Sequence, residues 1–107
     1  MSNYRYMRSI LMFDLPVETA TDRRNYRRFV KHLKKSGFVM FQESIYIRLS
    51  INAATAKAIT KSLKNHLPPK GLVSMMTVTE KQFSSMDFLL GSFVTDVITS
   101  DDRVVEL

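Results

Sequence analysis

Ile10–Phe13 is a continuous apolar run closed by Asp14-Leu15-Pro16. A short unbroken run bounded by turn residues predicts a buried central strand, which the proline stops. Tyr4–Arg8 can extend it on the N-terminal side. Tyr26, Phe29, Val30 and Leu33 then recur at i, i+3, i+4 and i+7, the spacing of one helix face. Thr19 or Thr21 can cap that helix, and Ser36-Gly37 ends it, with Gly37 as a left-handed cap. Phe38–Phe41 reads as a strand. Ser44–Leu49 alternates, with Ile45, Ile47 and Leu49 on one face and Ser44, Tyr46 and Arg48 on the other. Only Gln42 and Glu43 separate the two runs, which predicts a tight antiparallel hairpin. Asn52 can cap a second helix, with Ala56, Ile59, Leu63 and Leu67 inward and Lys57, Lys61 and Lys64 outward. Pro68-Pro69 stops it, and Gly71 opens a strand over Leu72–Val78.

The resulting order is strand, helix, strand, strand, helix, strand. That is the split βαβ pattern of a ferredoxin-like α+β fold, with a four-stranded antiparallel sheet and both helices on one face. Thr79–Ser85 reads as a short helix with Thr79 and Gln82 as a capping box. Met86–Leu90 and Arg103–Leu107 can each add an edge strand, with Gly91–Asp102 a loop between them.

The 107 residues suit one domain, and 45% hydrophobic content can fill its core. The absence of cysteine excludes disulfides and thiolate metal sites, and makes a cytoplasmic location the default expectation. No apolar run approaches the roughly 20 residues of a membrane span. The apolar stretch near the N-terminus is short, ends in Asp-Leu-Pro and lacks a small-residue cleavage site, so it reads as a strand and not a signal peptide. The net charge of +6 is unevenly spread. Residues 80–107 carry six acids against two bases, an acidic extension of net −4, while residues 1–79 carry fourteen bases against four acids, a body of net +10. Such a body attracts phosphate backbones, anionic surfaces or acidic partners.

The charge concentrates on the first helix. Arg23, Arg24, Arg27, Arg28, Lys31, Lys34 and Lys35 are seven of the sixteen bases within thirteen residues, on the side away from the apolar stripe. A solvated helix face usually carries both signs, and this one has only Asp22. Like charges at i, i+4 cost a few tenths of a kcal/mol each. Phosphate-backbone binding, salt-sensitive and with little base preference, is the better reading of the face.

Asp14 lies at the C-terminal end of the central strand, where a rigid sheet can hold a side chain at a loop-lined rim. A carboxylate there can ligate Mg²⁺, which commonly takes one or two carboxylates and completes its shell with water and phosphate oxygens. Asp-Leu-Pro is also a good turn sequence, and spacing alone favours that role. A symmetric dimer that joined two copies of Asp14 would shift the balance towards a metal. His32 and His66 have no ligand-spaced partner on their helices and read as surface residues. Ser44 lacks a nucleophile frame, and three glycines make no phosphate-cradling loop. Tyr4 and Tyr6 stand apart from the aromatic residues assigned to the core.

Together, Ile10-Leu11-Met12-Phe13-Asp14-Leu15-Pro16, the helix with Arg23, Arg24, Arg27, Arg28 and Phe29-Val30, and then Gly37, Gln42 and Ser44-Ile45-Tyr46 resemble a known family. It is the small CRISPR-associated protein that partners the integrase in spacer acquisition, the second of the two universal adaptation proteins. The resemblance spans most of residues 6–90. Phe38–Tyr46 and Thr77–Phe83 look most like members from type II-like systems with a single large effector nuclease. The resemblance implies a ferredoxin-like homodimer, with Asp14 of each copy near the dimer axis binding Mg²⁺ or Mn²⁺. It implies a metal-dependent endonuclease acting on RNA or DNA, with double-stranded DNA and the integrase as partners. It places Arg24, Arg27 and Arg28 near substrate phosphates, and it matches Ser44-Ile45-Tyr46 to a Ser-Val-Phe-like strand beside the site. Two alternatives stay open: a non-catalytic DNA scaffold, and a ferredoxin-like regulatory module.

Overall fold

Thr19, in extended conformation, caps the long helix by accepting a hydrogen bond from the Asp22 amide, while Asp22 Oδ2 accepts from the Thr19 amide. This reciprocal pair satisfies two of the orphan amides at the helix start, and it selects Thr19 over Thr21. The computed structural model describes residues 5–92. In chain order the elements are β1 (Met7–Asp14), α1 (Ala20–Lys35), β2 (Val39–Gln42), β3 (Ile45–Ser50), α2 (Ala53–Leu63), β4 (Leu72–Thr79) and α3 (Glu80–Ser84). One 3-10 turn, Lys64–His66, follows α2. The sheet order is β2-β3-β1-β4, all antiparallel, as a ferredoxin-like fold requires.

β1 is central because both of its faces are apolar. Leu11 and Phe13 point towards the helices and pack with Phe29, Leu33, Phe38, Tyr46 and Leu63. Phe13 meets Phe29 edge-on at 5.8 Å between centroids and stacks on Tyr46 at 5.9 Å. Ile59 of α2 packs on the same cluster, so both helices share that face. Arg8, Ile10, Met12 and Asp14 alternate to the other face. There Ile10 pairs with Ile47 and Met76, and Met12 with Ile45 and Ser74. α3 folds back over part of this second face, with Phe83 edge-on to Phe41 at 5.6 Å and Phe88 beyond it at 6.1 Å. Ile47 is fully buried, whereas Leu49, Leu72 and Met76 stay exposed.

Two details differ from the sequence expectation. Leu67 is not on the inner face of α2, because the α-helix ends at Leu63, tightens into the 3-10 turn and leaves Leu67 exposed ahead of Pro68. Met86–Leu90 forms no strand. It runs past α3 without a ladder partner, and Leu89 and Leu90 are exposed. The loop after Ser92, the expected strand Arg103–Leu107 and Tyr4 lie outside the described residues. Tyr6 is exposed, apart from the core. No helix among the described residues is long and apolar enough to cross a membrane.

Candidate nucleic-acid interface and carboxylate rim

Asp14 is the last residue of β1 and is exposed, on the sheet face opposite α1 and α2. Two neighbours fix its backbone. The Phe13 amide donates to the Ser44 carbonyl at 3.0 Å, tying the strand end to the β2–β3 turn. On the other side Asp14 pairs with Leu72, just after Gly71. Gly71 has φ +104°, and a Cβ there would lie 2.6 Å from the Asp14 carbonyl oxygen. Only glycine allows this approach. The rim is therefore built from the end of β1, the start of β4 and the hairpin turn.

Ser44 belongs to the rim through its backbone. It occupies the left-handed region at φ +67°, which costs a non-glycine residue about 1 kcal/mol. Tyr46, two residues on, turns to the opposite face. It is 5% exposed in the core, stacked on Phe13, and burial followed by the neighbouring Tyr26 pushes its phenol above the usual range. Asp14 and Tyr46 thus lie on opposite sides of the sheet.

The basic residues of α1 divide by their surroundings. Arg23 Nη1 donates to the Val17 and Glu18 carbonyls at 3.0 and 3.1 Å, bracing the loop before the helix. Arg24, Arg27, Arg28 and Lys31 are exposed. Arg28 and Lys31 border an open cleft with His32, Lys35 and His66, and Arg27, Lys31 and Lys34 border a shallow depression over Tyr26 and Val30. Among the described residues the ion pairs are Arg8–Glu80 and Lys70–Asp22, so none of these helix cations is neutralised there. The field they produce is outward and unbalanced.

The profile of the family described as CRISPR associated protein Cas2 matches residues 7–86, from the first residue of β1 to just beyond α3. The chain belongs to the Cas2 family. It is 46% identical over 101 residues to a protein of Treponema denticola, covering 94% of this chain and 100% of the relative. A relative from Ligilactobacillus salivarius is 43% identical over the same shares. One from Streptococcus mutans is 46% identical, covering 94% of this chain and 93% of the relative. All three carry the name CRISPR-associated endoribonuclease Cas2. The Cas2 match includes Asp14, Ser44 and the whole arginine face of α1.

Whether this Cas2 chain suits a divalent cation depends on how many carboxylates one copy offers. Among the described residues no three His, Cys, Asp or Glu side chains cluster as a metal site. Asp14 alone supplies an exposed oxygen donor on a rigid strand end, which fits one side of a Mg²⁺ shell and leaves the rest to water, phosphate or a second carboxylate. One pairing escaped the sequence reading. His32 and His66 stack at 3.8 Å between centroids although 34 positions separate them, and no spacing rule links α1 to the turn after α2.

Proposed function

We propose that this Cas2-family chain is a cytoplasmic, nucleic-acid-binding endonuclease subunit that works as a homodimer in CRISPR spacer acquisition, alongside the integrase. The observation that carries the reading is the placement of Asp14 at the rim of a half-covered apolar sheet face, with unpaired helix arginines on the same chain. A second copy set against that face covers Leu49 and Met76 and brings a second Asp14 towards the first. The names of the relatives support RNA as a substrate; the arginine face suits DNA equally, because phosphate contacts do not read sequence or sugar.

In this reading Asp14 from each copy holds Mg²⁺ or Mn²⁺, which when bound lowers the pKa of a coordinated water and neutralises charge on the scissile phosphate. Asp14 orients, and its exposed carboxylate leaves room for a phosphodiester. Arg24, Arg27 and Arg28 anchor flanking phosphates and so hold the backbone in register. Ser44 supplies shape through its left-handed turn and its carbonyl.

The same surfaces serve a non-catalytic scaffold that holds duplex DNA for the integrase, a reading the exposed helix cations support without calling on Asp14. Asp14→Asn separates the two. Cleavage of RNA or DNA that requires Mg²⁺ or Mn²⁺, and that disappears in a still-dimeric Asp14→Asn protein, establishes the enzyme. Spacer capture that survives in the same variant establishes the scaffold as the working role. A monomeric wild type that cleaves as well as the dimer sinks the shared-metal proposal.

A further inference from the structure

The cleft between the C-terminal half of α1 and the 3-10 turn has chemistry that the carboxylate rim does not use. Its walls carry Arg28, Lys31 and Lys35 from α1, with Asn65 and His66 from the turn, and no carboxylate. Across it His32 and His66 lie ring on ring, 3.8 Å apart and 18° from parallel. His32 Nε2 faces Ser36 Oγ at 3.5 Å, and His66 Nδ1 faces the Ser62 carbonyl at 3.3 Å. Parallel stacked rings send their lone pairs side by side and not towards a common point, which suits a chelated metal poorly. Stacking is comfortable while His32 is neutral. Protonation places imidazolium charge against Lys35, Arg28 and Lys31, and only an anion can offset it.

We propose that this cleft is a phosphodiester site whose hold on a nucleic-acid backbone tightens as His32, stacked on His66, takes up a proton. The proposal rests on the backbone-binding reading of α1 and adds its regulation. Burial first, then His66 and Lys35, hold the His32 imidazole below its ordinary range in the unbound chain. A phosphate in the cleft favours the imidazolium and raises that pKa. Binding therefore takes up protons, so affinity climbs as pH falls through the bound-state pKa and levels off below the unbound one.

The test is fluorescence anisotropy with duplex DNA and duplex RNA of one sequence, at fixed ionic strength with EDTA, from about pH 8 to about pH 5.5. Affinity of the wild type is expected to rise roughly three- to tenfold across that range. His32→Asn and His66→Gln are each expected to flatten the slope. Arg24→Gln with Arg27→Gln, outside the cleft, is expected to weaken binding at every pH and keep the slope. Equal slopes on both duplexes support phosphodiester recognition; a slope confined to RNA overturns it in favour of a 2′-hydroxyl contact. Wild-type binding without a slope, a slope that survives both histidine variants, or a slope that appears only with added Zn²⁺ overturns the cleft alone. No binding at any pH at low salt overturns the backbone-binding reading beneath it.

Discussion

Arg8 and Glu80 form a two-pronged ion pair between the start of β1 and the first turn of α3. Arg8 Nε donates to Oε1 at 2.8 Å and Nη2 to Oε2 at 2.7 Å. The guanidinium also lies 4.6 Å from the centre of the Phe83 ring, and the Glu80 amide donates to the Tyr6 carbonyl at 2.9 Å. α3 is only five residues long and could not persist by propensity. Its position over the sheet depends on this anchor and on the Thr79–Gln82 capping box.

Glu80→Gln keeps the shape and removes the charge. Both side chains are partly buried, so solvent screens the pair incompletely, and a loss of about 1–2 kcal/mol is expected. Thermal melts should show the difference between wild type and variant shrinking in high salt. A difference that salt leaves untouched would mean that the geometry of the contact matters and its charge does not.

Gly71→Ala tests the support of Asp14. The new methyl meets the Asp14 carbonyl oxygen and Leu15 Cδ2, and the backbone sits at φ +104°. Strain and overlap together should cost about 2 kcal/mol or more. Because the clash falls on Asp14 itself, any Mg²⁺-induced rise in melting temperature should shrink as well. A Gly91→Ala control has nothing within 4 Å of its Cβ and should leave that Mg²⁺ response intact.

The hydrophobic pattern reveals much of this architecture, because capping and periodicity are local. Thr19, Asn52 and Thr79 each accept the amide hydrogen bond of a cap, and Gly37 takes the left-handed φ of +92°. Other features are not local. Ile45 and Tyr46 point to opposite faces and both faces are apolar, so alternation alone could not tell which one the helices cover. That choice decides that Tyr46 is core while Asp14 lies at the open rim. The helical period likewise runs on through Leu67, although Pro68-Pro69 has already forced the chain to turn. The His32–His66 stack depends on how two distant elements cross.

Tyr46→Phe follows from that placement. The ring stays stacked on Phe13 inside the core, so stability near neutral pH should change by about 1 kcal/mol or less, and cleavage and binding should not change. The alkaline limb is more telling. The folded phenol pKa is raised above its unfolded value, so the stabilising difference is present below about pH 10 and is lost as pH rises through the folded value. The variant should therefore keep more of its stability above about pH 10 than the wild type does. Loss of cleavage in a well-folded Tyr46→Phe protein would place the hydroxyl at the site after all.

Arg23 and Arg27 lie one helical turn apart and should fail in different ways. Arg23 is committed to the Val17 and Glu18 carbonyls, so Arg23→Gln should lower stability by about 1 kcal/mol, through two carbonyls that lose a charged donor. Its effect on DNA affinity should be the smaller of the two. Arg27 is exposed over the Tyr26–Val30 surface, so Arg27→Gln should leave the melting temperature within error. If it contacts a phosphate, the slope of log K against log salt should fall by about 0.9 for duplex DNA, equally for unrelated sequences. Charge reversal at Arg24, Arg27 and Arg28 together should reduce that slope by about three such steps. Equal salt slopes for wild type and the triple variant would remove α1 from the interface, leaving its unpaired cations without a ligand.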